Sequence, residues 1–141
     1  MPAKLTPEEA HAFLDSRPGW IALTTIGKDG FPHTVPIGYF RLGDDVCIGC
    51  RAGSQKLRNI ERNPKVSLMI ESGATMQDIK GLVIQGTATV VTDPAGLLAL
   101  SQEAARKRGV PEAQLPQQPP PGAAYIRVTP AKLLSWDYSR P

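Results

Sequence analysis

The feature that most constrains this chain is a succession of strand-like runs that are mostly adjacent in sequence and joined by tight turns. Trp20 to Ile26 (WIALTTI) is rich in β-branched and aromatic residues, and Gly27 to Gly30 (GKDG) reads as a hairpin turn. Phe31 to Phe40 (FPHTVPIGYF) continues as a strand carrying two prolines and a glycine. Proline has no N–H to give a ladder, so this strand is expected at an edge or at a bulge, with backbone groups free to bind something. Gly43-Asp44-Asp45 turns the chain into Val46 to Gly49, and Val66 to Glu71 forms another strand. Lys80 to Thr92 is a long strand in which Gly81 and Gly86 mark bends or bulges. Ala124 to Val128 and Lys132 to Trp136 complete the set, joined at Thr129-Pro130. Six or so strands with three helices point to an antiparallel β-barrel with helices packed outside it, and 141 residues suffice for one domain spanning 1–141.

Helix boundaries are legible from caps. Thr6-Pro7-Glu8-Glu9 combines a capping residue, a proline at the first helical position and a glutamate placed to close a capping box. Ala10, Phe13 and Leu14 form the apolar stripe, and Arg17-Pro18-Gly19 stops the helix. Asp93-Pro94 opens another helix, running to about Arg108 with Leu97, Leu98 and Ala105 as its core side, and Gly109 ends it. The proline-rich stretch Val110 to Gly122 is expected as a covering surface loop without packed structure of its own; a ligand for proline-recognition modules is the other reading.

Chemistry concentrates in Gly53 to Leu68, GSQKLRNIERNPKVSL. Gly53 lets the chain turn and Ser54 is expected as the N-terminal cap. The first turn of a helix leaves N–H groups pointing outward at the positive end of the dipole, and Lys56 adds a full charge, which together make an anion site. Leu57 and Ile60 are expected to face the core, leaving Lys56 and Asn59 on one exposed flank and Arg58 and Arg62 on another. Asn63-Pro64 ends the helix. The plainer reading is a solvated basic face; the position of the charges at the helix start favours an anion.

A net charge of +3 is mild for a nucleic-acid domain, and the basic residues Lys56, Arg58, Arg62 and Lys65 have no interleaved aromatics, so no nucleic-acid partner is expected. No apolar run approaches the roughly 18 residues that span a bilayer, and MPAKLTPEEAH lacks the apolar core of a signal peptide. A cytoplasmic protein with no membrane partner is the expectation. Cys47 and Cys50 have C-x-x-C spacing, but in a strand positions three apart face opposite ways, so two reduced thiols are expected and no metal site. His11 is expected on the surface, whereas His33 is either a ligand to a bound ring or phosphate or an ordinary loop-edge histidine. Hydrolase, metalloprotease, Walker and dinucleotide motifs are all missing, a pattern compatible with an enzyme in which a bound cofactor carries the chemistry.

The succession DGFPHTVPIGYF, a short strand, GSQKLRNIERNPKVSL and then IKGLVIQGTATVV resembles the flavin-binding split-barrel superfamily: pyridoxamine 5'-phosphate oxidase-like proteins and the related flavin- and deazaflavin-dependent oxidoreductases. The resemblance covers about Trp20 to Val91 and implies a mainly β fold, a six-stranded antiparallel split β-barrel with flanking helices. It puts the phosphate-binding pair on Gln55 and Lys56, beside Ser54, with Asn59 as an adjoining polar contact. The segment His33, Thr34, Val35, Pro36, Ile37 and Gly38 would lie along the ring. Pyridoxamine phosphate oxidases proper usually have Arg-Lys where this chain has Gln-Lys, which resembles the branch binding coenzyme F-420, a deazaflavin with a phosphate-linked oligoglutamate tail. Arg58 and Arg62 are candidates to meet that tail. The resemblance also implies a homodimer with the cofactor in a groove shared by both subunits, so that Ile79 to Ile84 or Trp136 reaches the partner's site.

The implied function is an oxidoreductase in which coenzyme F-420 delivers hydride to an unsaturated small-molecule acceptor, with no catalytic side chain identified. FMN in an oxidase or reductase of the same fold is the alternative, and a flavin or haem carrier without turnover is the other class.

Overall fold

The computed structural model describes residues 2–140. Its strands are β1 (Ile21–Ile26), β2 (Pro32–Ile37), β3 (Phe40–Leu42), β4 (Asp45–Arg51), β5 (Lys65–Ser72), β6 (Lys80–Val91) and β7 (Ala123–Asp137), and its helices α1 (Pro7–Ser16), α2 (Gln55–Arg62) and α3 (Pro94–Lys107). The seven strands form one antiparallel sheet in the order β2-β1-β5-β6-β7-β4-β3. The long strands β6 and β7 are shared between its two halves: β5 pairs with Lys80 to Thr87 of β6, and β4 pairs with Ala123 to Val128 of β7. The sheet coils around its core without closing, since β2 and β3 remain as edges. The expected mainly β split barrel with flanking helices is the observed fold, with seven strands where six were expected because the run Phe31 to Phe40 supplies both β2 and the start of β3.

Sequence explains where pairing stops. β2 carries Pro32 and Pro36 and pairs only with β1, as an edge strand bearing prolines must. The run Phe31 to Phe40 is two elements, however, because Gly38-Tyr39 breaks it and Phe40 begins β3 opposite Cys47. The two expected C-terminal strands are instead one strand of 15 residues. Gly86 lies opposite Pro130 and Gln85 opposite Lys132, so Ala131 is an extra residue absorbed as a bulge.

Side chains alternate across the sheet. Ile21 and Leu23 of β1, Val46 and Ile48 of β4 and Leu82 and Ile84 of β6 enter one core. Ala10, Phe13 and Leu14 of α1 and Leu57 and Ile60 of α2 pack into the same core. An isolated helix of eight residues is not stable in water, so burial of Leu57 and Ile60, about 2 kcal/mol each, holds α2 in place. α3 covers the opposite face, packing Leu97 and Leu100 on Phe40, Cys47 and Tyr125. Leu98, expected on that core side, is only half-buried, and Leu100 takes the buried position.

The α1 capping box forms as expected: Thr6 Oγ1 accepts from Glu9 N–H at 3.1 Å and Thr6 N–H donates to Glu9 Oε1 at 2.9 Å. Asp93 caps α3, accepting from Gly96 N–H at 2.8 Å. The proline-rich segment is more packed than a bare covering loop. It contains a 3₁₀ turn at Glu112–Gln114, buries Leu115, and receives a 2.9 Å bond from Gln102 Nε2 at the Pro116 carbonyl. Cys47 faces the α3 cluster and Cys50 the barrel core, so the two free thiols diverge as the strand period requires. No helix among the described residues is long and apolar enough to cross a membrane.

Candidate functional site

β4 ends at Arg51, and Gly53 turns the chain with φ +77°, a conformation that favours glycine, so that α2 starts directly beside the sheet. Ser54 occupies the N-cap position with extended backbone, and Arg58 N–H donates to its carbonyl at 3.2 Å as the first helical bond. The N–H groups of Gln55, Lys56 and Leu57 therefore have no helical acceptor. The expected side-chain cap is absent: Ser54 Oγ makes no capping bond and is buried without a hydrogen-bond partner among the described residues. It stands beside the Cys50 thiol. Burial pushes that thiol up, while the Lys56 ammonium and the Ser54 hydroxyl pull it back in part. Lys56, Ser54 and Cys50 thus share the junction between β4 and α2.

Asn59 is not on an exposed flank. Only 1% of it is accessible, because it lies where α2 crosses β1. Its Nδ2 donates to Thr25 Oγ1 at 3.0 Å, and its Oδ1 accepts from Gln55 Nε2 at 2.9 Å and from an Arg62 amino group at 2.5 Å. One buried amide therefore fastens α2 to the sheet and engages one donor each of Gln55 and Arg62. Arg58 and Arg62 are both exposed, but Arg62 has one amino group engaged by Asn59.

Thr25 is the register partner of His33 on β2. The inward positions of β2 are His33, Val35 and Ile37, opposite Thr25, Leu23 and Ile21; Thr34 and Pro36 point outward and are exposed. Val35 and Ile37 pack against the core. His33 Nδ1 is buried and has no hydrogen-bond partner among the described residues. His33 and Gln55 line one cleft of ≈ 690 Å³, walled by Lys28, Phe31 and Pro32 of the β1–β2 hairpin. Gly38 lies at the other end of β2, in a cavity with Arg17, Tyr39 and Gly49. The segment His33 to Gly38 is therefore divided: one end faces the start of α2, the middle alternates between core and outer face, and the far end opens elsewhere.

The outer face of the sheet carries two rows in strict register. Thr34, Thr24, Ser67, Gln85 and Lys132 form a polar row, with Thr24 and Thr34 hydroxyls 2.9 Å apart. Thr24, Ser67, Gln85 and Lys132 of this row line a cleft of ≈ 470 Å³ together with Lys65. Beside it Pro36, Ala22, Met69, Val83 and Leu134 form an apolar row. Of Ile79 to Ile84, Leu82 and Ile84 are buried in the core and cannot reach another subunit, whereas Val83 faces outward. The sequence reading missed Thr25, whose signal is a threonine at an inward position of WIALTTI, and it treated Cys50 as packing alone.

Taken together, the site offers unbonded helix N–H groups, a buried orphan hydroxyl and an ammonium at one end, and a buried orphan imidazole nitrogen on a residue lining the cleft. Such a donor set suits a phosphate attached to a flat polar ring. The family profile described as pyridoxamine 5'-phosphate oxidase matches residues 6–137. No curated protein matches the chain. The crystal structure of conserved hypothetical protein Rv2991 from Mycobacterium tuberculosis superposes with a TM-score of 0.83 at 26% identity, over 95% of this chain and 86% of that one. A structure described as F420 reductase superposes at 0.64 with 23% identity, over 86% and 94% of the two chains. HutZ, the heme storage protein from Vibrio cholerae, gives 0.67 at 18% identity, over 98% and 100%. These last two likenesses are of fold alone. With the profile spanning nearly the whole chain and the split barrel beneath it, this chain belongs to the pyridoxamine 5'-phosphate oxidase family, within the flavin-binding split-barrel superfamily.

Proposed function

We propose that this chain is an oxidoreductase that binds coenzyme F-420 and passes hydride to an unsaturated small-molecule acceptor. The observation that carries the reading is the pair of buried, unpartnered polar atoms Ser54 Oγ and His33 Nδ1. Leaving such groups unbonded costs about 1–3 kcal/mol each, and a ligand that satisfies them recovers that energy as affinity. The Ser54 hydroxyl, the N–H groups opening α2 and the Lys56 ammonium would hold the phosphoryl group, with the remaining amide donor of Gln55 at its side. His33 would bond a polar edge of the ring, and the backbone of β2 left unpaired at the sheet edge would run along it. Asn59 serves by locking α2 at the correct height, and Arg58, exposed and one turn away, is available to a polyanionic tail. When bound, the deazaflavin supplies the hydride; the protein supplies position, charge and exclusion of water.

The reading extends to a homodimer whose apolar rows Pro36-Ala22-Met69-Val83-Leu134 meet, bringing the neighbouring polar rows of two copies together around the cofactor groove.

Fluorescence titration of the purified protein with F-420 and with FMN tests the assignment. F-420 is expected to bind more tightly, and Lys56→Ala to weaken it at least tenfold, about 1.4 kcal/mol. An unchanged dissociation constant in that variant would put the grip elsewhere. Tighter binding of FMN shifts the assignment to a flavin oxidase or reductase, and binding without turnover of any acceptor leaves a carrier.

A further inference from the structure

At the far end of β2 from His33, a cavity of ≈ 290 Å³ opens between the C-terminal ends of α1 and α3. Its walls include Arg17, Arg108, Tyr39, Phe40 and Tyr125, and it adjoins a second hollow of ≈ 300 Å³ that shares Arg17, Gly38 and Tyr39 and adds Trp20. The geometry points to a binding site here for a planar, conjugated carboxylate, its anionic end between Arg17 and Arg108 and its flat body against the aromatic walls.

Three observations carry it. First, neither arginine is paired with a carboxylate among the described residues, although Arg41, Arg106, Arg127 and Arg140 all are. Asp15, the nearest acid on α1, is held by Arg41 at 2.9 Å in a two-point bond. Second, both arginines are placed by backbone geometry. Arg17 is the C-cap of α1 with φ +47°, the one described residue other than glycine with positive φ, and Arg108 is the C-cap of α3. Two full positive charges outweigh the half-charges that two helix ends contribute, so the cavity attracts anions. Third, the walls are pre-set. Tyr39 is pinned by its hydroxyl, which donates to the Leu14 carbonyl at 2.6 Å, and Tyr125 stands edge-on to Phe40 with ring centroids 6.2 Å apart. A Cβ on Gly49 would lie 3.2 Å from the Tyr125 ring, so glycine at that position keeps the wall clear. The charges reach the rings as well: burial pushes the Tyr39 and Tyr125 phenols up, and Arg17 and Arg108 respectively pull them back. Guanidinium groups that fork onto a carboxylate while aromatic faces hold its body select a planar acid over a neutral analogue.

Gly38 joins this cavity to the strand proposed to carry the cofactor ring. That the site belongs to the hydride acceptor rests on the oxidoreductase reading; that it binds such an acid does not. Calorimetric titration of the protein, with no cofactor added, against trans-cinnamate and its neutral amide tests it. Saturable binding of cinnamate is expected, with the amide about tenfold weaker or more. Arg17→Gln and Arg108→Gln are each expected to weaken cinnamate by about fivefold or more while the thermal midpoint holds, and Lys4→Gln, an exposed lysine elsewhere, to leave it unchanged. Equal binding of acid and amide by the unaltered protein, or no effect of either arginine change, overturns the proposal. Because no cofactor is present, failure to bind F-420 or FMN leaves this result standing, and its failure leaves the cofactor assignment standing.

Discussion

Asn59 shows how one side chain sets the site. Its amide joins Thr25 across the buried contact between α2 and β1 and engages Gln55 and Arg62 at the exposed edge of α2. Asn59→Ala leaves the Thr25 hydroxyl buried without a partner and opens a void, so a loss of about 2–4 kcal/mol is expected as a lower urea midpoint. A loss within about 0.5 kcal/mol would mean that α2 is held by Leu57 and Ile60 alone. Cys47 and Tyr39 make a pH prediction. Burial pushes the Cys47 thiol up to about 11 from 9.0 and the Tyr39 phenol to about 12 from 10.0. The folded chain holds these protons more tightly than the unfolded one, so the stabilisation is complete below pH 9. It is lost as pH rises, from about 9 to 11 for the thiol and about 10 to 12 for the phenol. Cys47→Ala is expected to remove up to about 3 kcal/mol of the alkaline decline, read from urea unfolding at a series of pH values. The same decline in the variant would locate it elsewhere. The burial of Asn59 was not legible beforehand, since an asparagine on a basic helix reads as solvated until a partner such as Thr25 is seen opposite it.

Among the elements, β6 and β7 determine the curvature. Gly86 lies against the Thr129 carbonyl where Ala131 bulges out, so close that a Cβ there would collide with backbone, and Val128 Cγ1 is 3.0 Å from the same point. Neither backbone can give way without disturbing the bulge. Gly86→Ala is therefore expected to lower stability by about 2–3 kcal/mol, visible as a thermal midpoint several degrees lower, whereas a change of under about 0.5 kcal/mol would show that the bulge relaxes freely. Local chemistry announced several elements: the Thr6 to Glu9 box, the Asp93-Pro94 start, the Asn63-Pro64 stop and the prolines of an edge strand are each short-range effects. Two boundaries were hidden. Gly38-Tyr39 divides a run whose residues all favour strand, and Pro130 looks like a break yet sits within one continuous strand because the bulge relieves its missing N–H.

For the whole molecule, the outer face of the sheet matters most. Met69 is 39% and Leu134 44% exposed, and with Pro36, Ala22 and Val83 between and beside them they make an apolar row across five strands. The proposed homodimer buries this row. Sedimentation equilibrium is expected to give twice the 15.2 kDa chain mass, and Met69→Glu to return the single-chain mass with the sheet signature in circular dichroism retained. A protein that already sediments at the single-chain mass would sink the shared-groove arrangement.

What the linear order of residues determined by itself was the class of fold and the family. Closely spaced strand runs with tight turns dictate antiparallel neighbours, because each pairing is set within a few residues. Tertiary structure alone decided which polar atoms lie buried without partners, which donors are engaged by Asn59, and that Arg17 and Arg108, 91 positions apart, line one cavity. Those outcomes depend on which strands lie side by side, and no short stretch of sequence carries that information.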